Sequence, residues 1–222
     1  METYLARQPI FDAHQKVFGY ELFFRSGMEN VFKNPDPNQA TSKVMVDSFF
    51  LFNLNDLTGG KRAFINVPRD ILLKEYMFFL PKEQVVVELL ETVEPDSEVI
   101  AACQKLKRAG YLIAMDDFVY QDRYRPLLEV ADFVKVDFLS TPEDARKDLL
   151  KRISPLKVRL VAEKVETPEM FQQGVDGGYA FFQGYFFSKP AMVVGKDIPT
   201  FKAHYFQLLQ EIYRPGMDLK KL

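Results

Sequence analysis

Polar residues that could do chemistry stand where short apolar runs end. Asn66 closes Arg62–Val67, Glu88 interrupts Gln84–Leu90, and the pair Asp116-Asp117 follows Tyr111–Met115. Asp137 follows Phe133–Val136, Glu163 follows Val158–Ala162, and Gln183 follows Tyr179–Phe182. If the runs are strands whose ends converge, Glu88, Asp116, Asp117, Asp137 and Glu163 share one mouth. Carboxylates a few ångströms apart raise each other's pKa, and a hard divalent cation taking oxygen ligands relieves the repulsion. Magnesium or manganese fits such a set. Two ions about 3.5 to 4 Å apart would activate a water and clamp both the attacking and the leaving oxygen of a phosphodiester. Two-metal phosphodiester hydrolysis is therefore the reaction class these residues suggest. A lone acid after a strand is more often a helix cap or turn residue. Recurrence on four consecutive units, with an adjacent Asp pair, weighs against coincidence. Lys135 lies two residues before Asp137 and so faces the same side of its strand, where a buried ion pair is compatible with a place beside the metals.

The positions of these ends dictate the elements behind them. They recur every 20 to 28 residues, about the length of one βα unit, with helical stretches such as Ser97–Ala109 (closed by Gly110), Pro142–Ile153 and Pro168–Val175 (capped by Thr167) between them. The strands are apolar along their length, as in a parallel sheet covered on both faces. No Gly-x-Gly-x-x-Gly follows the first strand, and six or more successive units favour closure into an α/β barrel over an open doubly wound sheet. Ahead of these units, Tyr4–Phe11 and Val17–Phe24 flank a polar segment and read as a β-hairpin, and Gln39–Asn55 reads as the first long helix.

Composition narrows the function classes. The 222 residues carry 29 basic and 31 acidic side chains, a net charge of -2, which advertises no surface for duplex nucleic acid. No apolar run approaches the ~18 residues of a membrane span, and Met1–Ile10 lacks the pattern of a secretory signal, so a cytoplasmic location is expected. One cysteine, Cys103, and two histidines, His14 and His204, exclude an internal disulfide and a His-rich metal site. The chemistry must run on carboxylates, amides, lysines and arginines. The 21 phenylalanines and 10 tyrosines suit a large core.

Seven segments in order resemble the motifs of the EAL domain, the module that hydrolyses the bacterial messenger cyclic di-GMP to linear pGpG. Glu21-Leu22-Phe23-Phe24-Arg25 is similar to the naming motif, with Leu-Phe for Ala-Leu. Asn66 lies in Phe64-Ile65-Asn66-Val67, and Glu88-Leu89-Leu90-Glu91-Thr92 resembles Glu-Leu-Thr-Glu with Leu90 for threonine. Asp116-Asp117-Phe118 resembles Asp-Asp-Phe-Gly without its glycine, and Lys135-Val136-Asp137 resembles Lys-Ile-Asp. Ala162-Glu163-Lys164-Val165-Glu166-Thr167 carries lysine for glycine, and Gln183-Gly184-Tyr185 closes the series.

The resemblance implies a modified TIM (βα)8-type barrel over residues 1–196 whose first strand runs antiparallel. It also implies site roles. Glu21, Asn66, Glu88 and Asp116 would hold one ion, and Asp117 and Asp137 would lie at the second. Glu163 and Lys135, with Asp117, would serve catalysis; Arg25, Gln183 and Glu166 would meet substrate; Glu91 would position a loop. Two Mg²⁺ or Mn²⁺ ions, cyclic di-GMP and a homodimer are the cofactors and partners implied. Ala6-Arg7-Gln8-Pro9-Ile10-Phe11 and the segment from Ile198 are most similar to the EAL half of EAL-HDOD signalling proteins, which implies a helix and linker over 197–222 leading towards an HDOD domain. Two departures bear on turnover. The loop Val119–Pro126 has no glycine, and Lys164 puts a cation beside Glu163. These leave two function classes open, a slow phosphodiesterase and a non-catalytic module that binds the nucleotide or a protein partner.

Overall fold

The computed structural model describes the backbone of residues 2–25 and 54–196 and, within them, the side chains of 5–23 and 54–193. The hairpin is formed by β1 (Glu2–Asp12) and β2 (Val17–Arg25). Its turn is set by Asp12, whose Oδ1 accepts from the N–H groups of His14 and Lys16 at 2.8 and 2.9 Å. Then follow α1 (Leu54–Thr58), β3 (Arg62–Val67), α2 (Arg69–Leu73), β4 (Val85–Leu89), α3 (Ser97–Ala109), β5 (Leu112–Met115), α4 (Arg125–Leu128) and β6 (Phe133–Asp137). The described chain ends with α5 (Glu143–Ile153), β7 (Arg159–Glu163), α6 (Pro168–Asp176), β8 (Phe181–Phe182) and β9 (Ala191–Lys196).

Strands β2 to β8 pair in parallel in chain order, and β1 joins β8 to β2, antiparallel to both. The sheet closes as an eight-stranded α/β barrel with an antiparallel first strand, as the sequence implied. Strand β9 was not foreseen. It pairs antiparallel with Glu2–Arg7, on the edge of β1 whose far end, Phe11–Asp12, meets β8. The long first strand thus has room for two partners along one edge. Helix α2 was also missed, because five residues hold too few turns for a periodic signal.

The helices form where capping and spacing require. Helix α3 starts at Asp96, whose carboxylate accepts from the N–H groups of Glu98 and Val99, and stops at Gly110 with φ 96°. Its buried residues Val99, Cys103 and Leu106 recur at helical spacing. The glycine-free segment after Asp117 needs no left-handed residue: a 3-10 turn at Asp122–Tyr124 runs into α4, and Phe118 packs its ring 5.8 Å from that of Tyr124. Most of the expected helix Gln39–Asn55 and all of the one expected over 197–222 lie outside the described residues. Among the described residues, no helix is long and apolar enough to cross a membrane.

Inside the barrel, side chains alternate in layers. Ile10, Phe64, Val86, Ala114, Phe133, Val161 and Phe181 form one inward apolar cluster. Phe18 closes it from below, and the Arg159 guanidinium lies 4.1 Å over the Phe133 ring. Gly19 continues this layer on β2, where a Cβ would stand 2.8 Å from the Arg62 carbonyl oxygen.

Candidate active site

A strand turns every second side chain inward, so the next inward residue on each strand lies two positions nearer the mouth. From the apolar cluster, that step leads to Gln8 on the antiparallel β1, Glu21, Asn66, Glu88, Asp116, Lys135, Glu163 and Gln183. One layer of greasy side chains therefore supports one layer of polar ones. The mouth above is a cavity of about 450 Å³ lined by residues including Gln8, Glu21, Asp116, Asp117, Lys135, Glu163, Lys164, Glu166, Gln183 and Tyr185.

Lys135 is fully buried at the centre of the polar layer. Its Nζ lies 3.1 Å from Glu21, 2.9 Å from Asp116 and 2.7 Å from Glu163, and it also donates to Glu88. Burial alone would lower the Lys135 pKa, but Asp116, Glu163, Glu21 and Glu88 together hold it well above the usual lysine range. One ammonium cannot neutralise four carboxylates. Burial, then the charge of Glu21, pushes Glu88 well above the ordinary carboxylate range against the pull of Lys135. Burial likewise pushes Glu163 well up, with Lys135 opposing and Asp116 and Glu21 adding to the rise. Asp116 goes the other way: burial would raise it, but the Lys135 ammonium outweighs that and keeps it below its ordinary value.

Amides complete the layer. Glu21 accepts from Asn66 Nδ2 at 3.2 Å and from Gln183 Nε2 at 2.8 Å. Gln183 Nε2 also reaches Gln8 Oε1 at 3.0 Å, and Gln8 in turn donates to the Ser188 carbonyl at 3.1 Å. Gly184 makes this possible, because a Cβ there would sit 2.1 Å from the Val165 carbonyl oxygen. Among the described residues, three buried oxygens of this layer, Asn66 Oδ1, Glu88 Oε2 and Gln183 Oε1, have no hydrogen-bond partner. Orphaned oxygens within a ring of acids suit a bound cation, since burying them unpartnered is costly. Asp116, Asp117 and Glu163 each offer a carboxylate oxygen within 4.8 Å of the others'. The oxygen-only donor set fits a hard divalent ion.

One layer further out, Asp137 and Asp117 flank Lys164. Lys164 Nζ lies 2.5 Å from Asp137 Oδ2 and 3.4 and 3.5 Å from the two oxygens of Asp117. Burial would raise the Asp137 pKa, but Lys164 and the N–H groups of Ser140 and Leu139 lower it. Asp117 and Lys164 both hold left-handed backbone, φ 39° and 54°.

A family model described as the EAL domain matches residues 48–190. This chain belongs to the EAL domain family. The cyclic di-GMP phosphodiesterase CdgJ of Vibrio cholerae serotype O1 is 37% identical to it over 219 residues, 97% of this chain and 51% of CdgJ. The uncharacterized protein YuxH of Bacillus subtilis is 34% identical over 227 residues, 100% of this chain and 56% of YuxH. The chain thus spans about half the length of the curated relatives it matches. Among solved structures, the EAL domain protein YkuI of Bacillus subtilis, in complex with its substrate c-di-GMP and calcium, superposes with a TM-score of 0.65 at 21% identity. That match covers 94% of this chain and 62% of YkuI, and it shows the shared barrel.

Within this EAL domain, Glu21, Asn66, Glu88, Asp116, Lys135, Glu163 and Gln183 meet in one layer, and Asp117 and Asp137 stand at its rim. Glu166 is exposed on the cavity wall. Glu91 is exposed in the turn after β4 and is apart from the cavity lining. Arg25 ends β2, and its side chain lies outside the described ones. Gln8 escaped sequence reasoning as a site residue. Only the antiparallel register, which sets Gln8 opposite Glu21, brings it to the site.

Proposed function

We propose that this EAL domain binds cyclic di-GMP at the barrel mouth and hydrolyses one of its phosphodiesters to give linear pGpG. The observation that carries this reading is the set of buried oxygens without a partner among the described residues, Asn66 Oδ1, Glu88 Oε2 and Gln183 Oε1, within the acid layer around Lys135. Magnesium or manganese, when bound, would withdraw charge from the phosphoryl oxygens and make a water acidic enough to attack. This chain's residues do the rest. Glu163, at the edge of the cavity, accepts the proton of the attacking water as a carboxylate. Lys135, 2.7 Å away, holds that carboxylate in place. Water attacks phosphorus, the bond to the 3′ oxygen breaks, that oxygen takes a proton from solvent to become the 3′ hydroxyl, and the new phosphate remains on the 5′ side of the linear product. Gln183 and Gln8 fix Glu21, and Arg25 at the end of β2 is the residue to grip a phosphate bidentately.

A second reading has one observation in its favour. Lys164 bridges Asp117 and Asp137, the acids that a second ion would use, which favours a domain that binds the nucleotide without turning it over. Incubation with cyclic di-GMP and Mg²⁺ or Mn²⁺, with chromatography of the products, separates the two. Expected is pGpG formation that falls by about 10²- to 10⁴-fold in Glu163→Gln and is lost in Glu21→Ala. Calorimetric binding without product supports the receptor, and neither binding nor product refutes both.

A further inference from the structure

Among the described residues, the inner layer keeps buried oxygens without a hydrogen-bond partner even with Lys135 at its centre, whereas both oxygens of Asp137 at the rim are engaged. Asp116 and Glu163 bring oxygens within 4.8 Å of one another and of Asp117, which faces both this group and Lys164, and among the described residues Glu88 Oε2, in a fully buried side chain, has no hydrogen-bond partner. At the rim, Asp137 Oδ1 already accepts from the N–H groups of Leu139 and Ser140 at 2.7 and 3.0 Å. Its Oδ2 is taken by Lys164 Nζ at 2.5 Å, and the same ammonium lies 3.4 Å from the nearer oxygen of Asp117. Lys164 reaches this position from a left-handed backbone, φ 54°, that a lysine adopts only at a cost, so its surroundings must enforce it.

We propose that the Lys164 ammonium is a resident cation in the place of a second divalent ion, so that this chain takes up one divalent ion, at the inner acids. The inference rests on the metal reading proposed above and deepens it. A divalent ion bound between Asp117 and Asp137 would have to displace the ammonium or sit against it, and two cations at such a distance repel strongly in a half-enclosed site. A single positive charge also suits the two acids poorly as a substitute for a doubly charged ion. The outer position therefore keeps its geometry but loses the strong polarising charge that a second metal would bring to a leaving oxygen.

The test is a count of ions on the full chain, stripped of metal and titrated with Mn²⁺ by calorimetry and by electron paramagnetic resonance. Wild type is expected to bind one Mn²⁺ and to give the spectrum of an isolated ion. Lys164→Gly removes the ammonium and suits the left-handed backbone, and it is expected to bind two, with the line broadening of a close pair. Lys164→Arg keeps the charge and is expected to stay at one. Circular dichroism checks that each variant is folded. Two ions in wild type, or one in both wild type and Lys164→Gly, overturns the inference while leaving the metal reading intact. No ion in either overturns both.

Discussion

The two inward layers of the barrel are built by the same strands, two residues apart, and they are stabilised in opposite ways. The lower layer is Phe64, Phe133, Phe181 and their apolar neighbours, with ring centroids 5.4 to 5.7 Å apart and every contact gaining from exclusion of water. The upper layer buries Glu21, Glu88, Lys135 and Glu163, where desolvation works against the fold and one ammonium serves several acids. A single period-2 alternation thus yields a plug that holds the barrel together and, directly above it, a layer that the rest of the barrel must support. Stability in one and reactivity in the other follow from which side chains occupy the same geometry.

Truncation in the two layers gives the largest expected effects and separates them. Phe133→Ala leaves a cavity in the plug and is expected to cost about 3–5 kcal/mol, whatever the pH or the metal present. Lys135→Met is expected to cost a similar amount, about 3–5 kcal/mol, in metal-free protein at neutral pH, because it leaves carboxylates buried without their cation. Only the second loss should shrink when Mn²⁺ is added or the pH is lowered. Urea melts of both variants with and without Mn²⁺ check this; equal responses would mean that the layers are not distinct.

The wild type offers a milder form of the same contrast. Glu88 and Glu163 are pushed well above the ordinary carboxylate value of 4.5 in the folded chain, burial being the main cause. The folded state thus keeps protons that the unfolded chain gives up near that value. Stability from this source is fully present below about pH 4.5 and is lost as pH rises through the folded pKa values. Asp116 and Asp137, shifted down, act in the opposite sense, but their contribution is already in place above the ordinary value of 3.8. Metal-free protein should therefore lose thermal stability as the pH rises above about 4.5, and divalent ions should stabilise it more as the pH rises. A metal-free melting temperature that rises over this range would contradict the assigned directions.

What the sequence disclosed follows from the physics of each feature. Strand ends were legible because the switch from an apolar run to an acid is local, and the end of α3 because Gly110 acts within one turn. Glu21 could be placed only through its motif, since a hairpin strand carries no strand-end signal at its middle. Gln8 depends on antiparallel register with Glu21, and β9 on an unused stretch of the β1 edge; both are long-range facts. The glycine-free loop was readable as a departure, but not the 3-10 turn that resolves it.

The outer lysine should give the smallest effect, and for that reason it sharpens the comparison most. Lys164 and Lys135 both bridge acids, but the Lys164 side chain is 47% exposed whereas that of Lys135 is 1% exposed. Water screens the outer pairs, so their loss is worth roughly 0–1 kcal/mol. Replacement by glycine at φ 54° also removes the left-handed penalty of a residue with a side chain, roughly 1–2 kcal/mol in the other direction. Glycine's greater freedom in the unfolded chain returns part of that gain. Lys164→Gly should therefore leave the metal-free stability within about 1 kcal/mol of wild type, as read from the urea midpoint at constant m-value. A loss approaching that of Lys135→Met would mean that the outer lysine, like the inner one, is an internal counter-ion on which the fold depends.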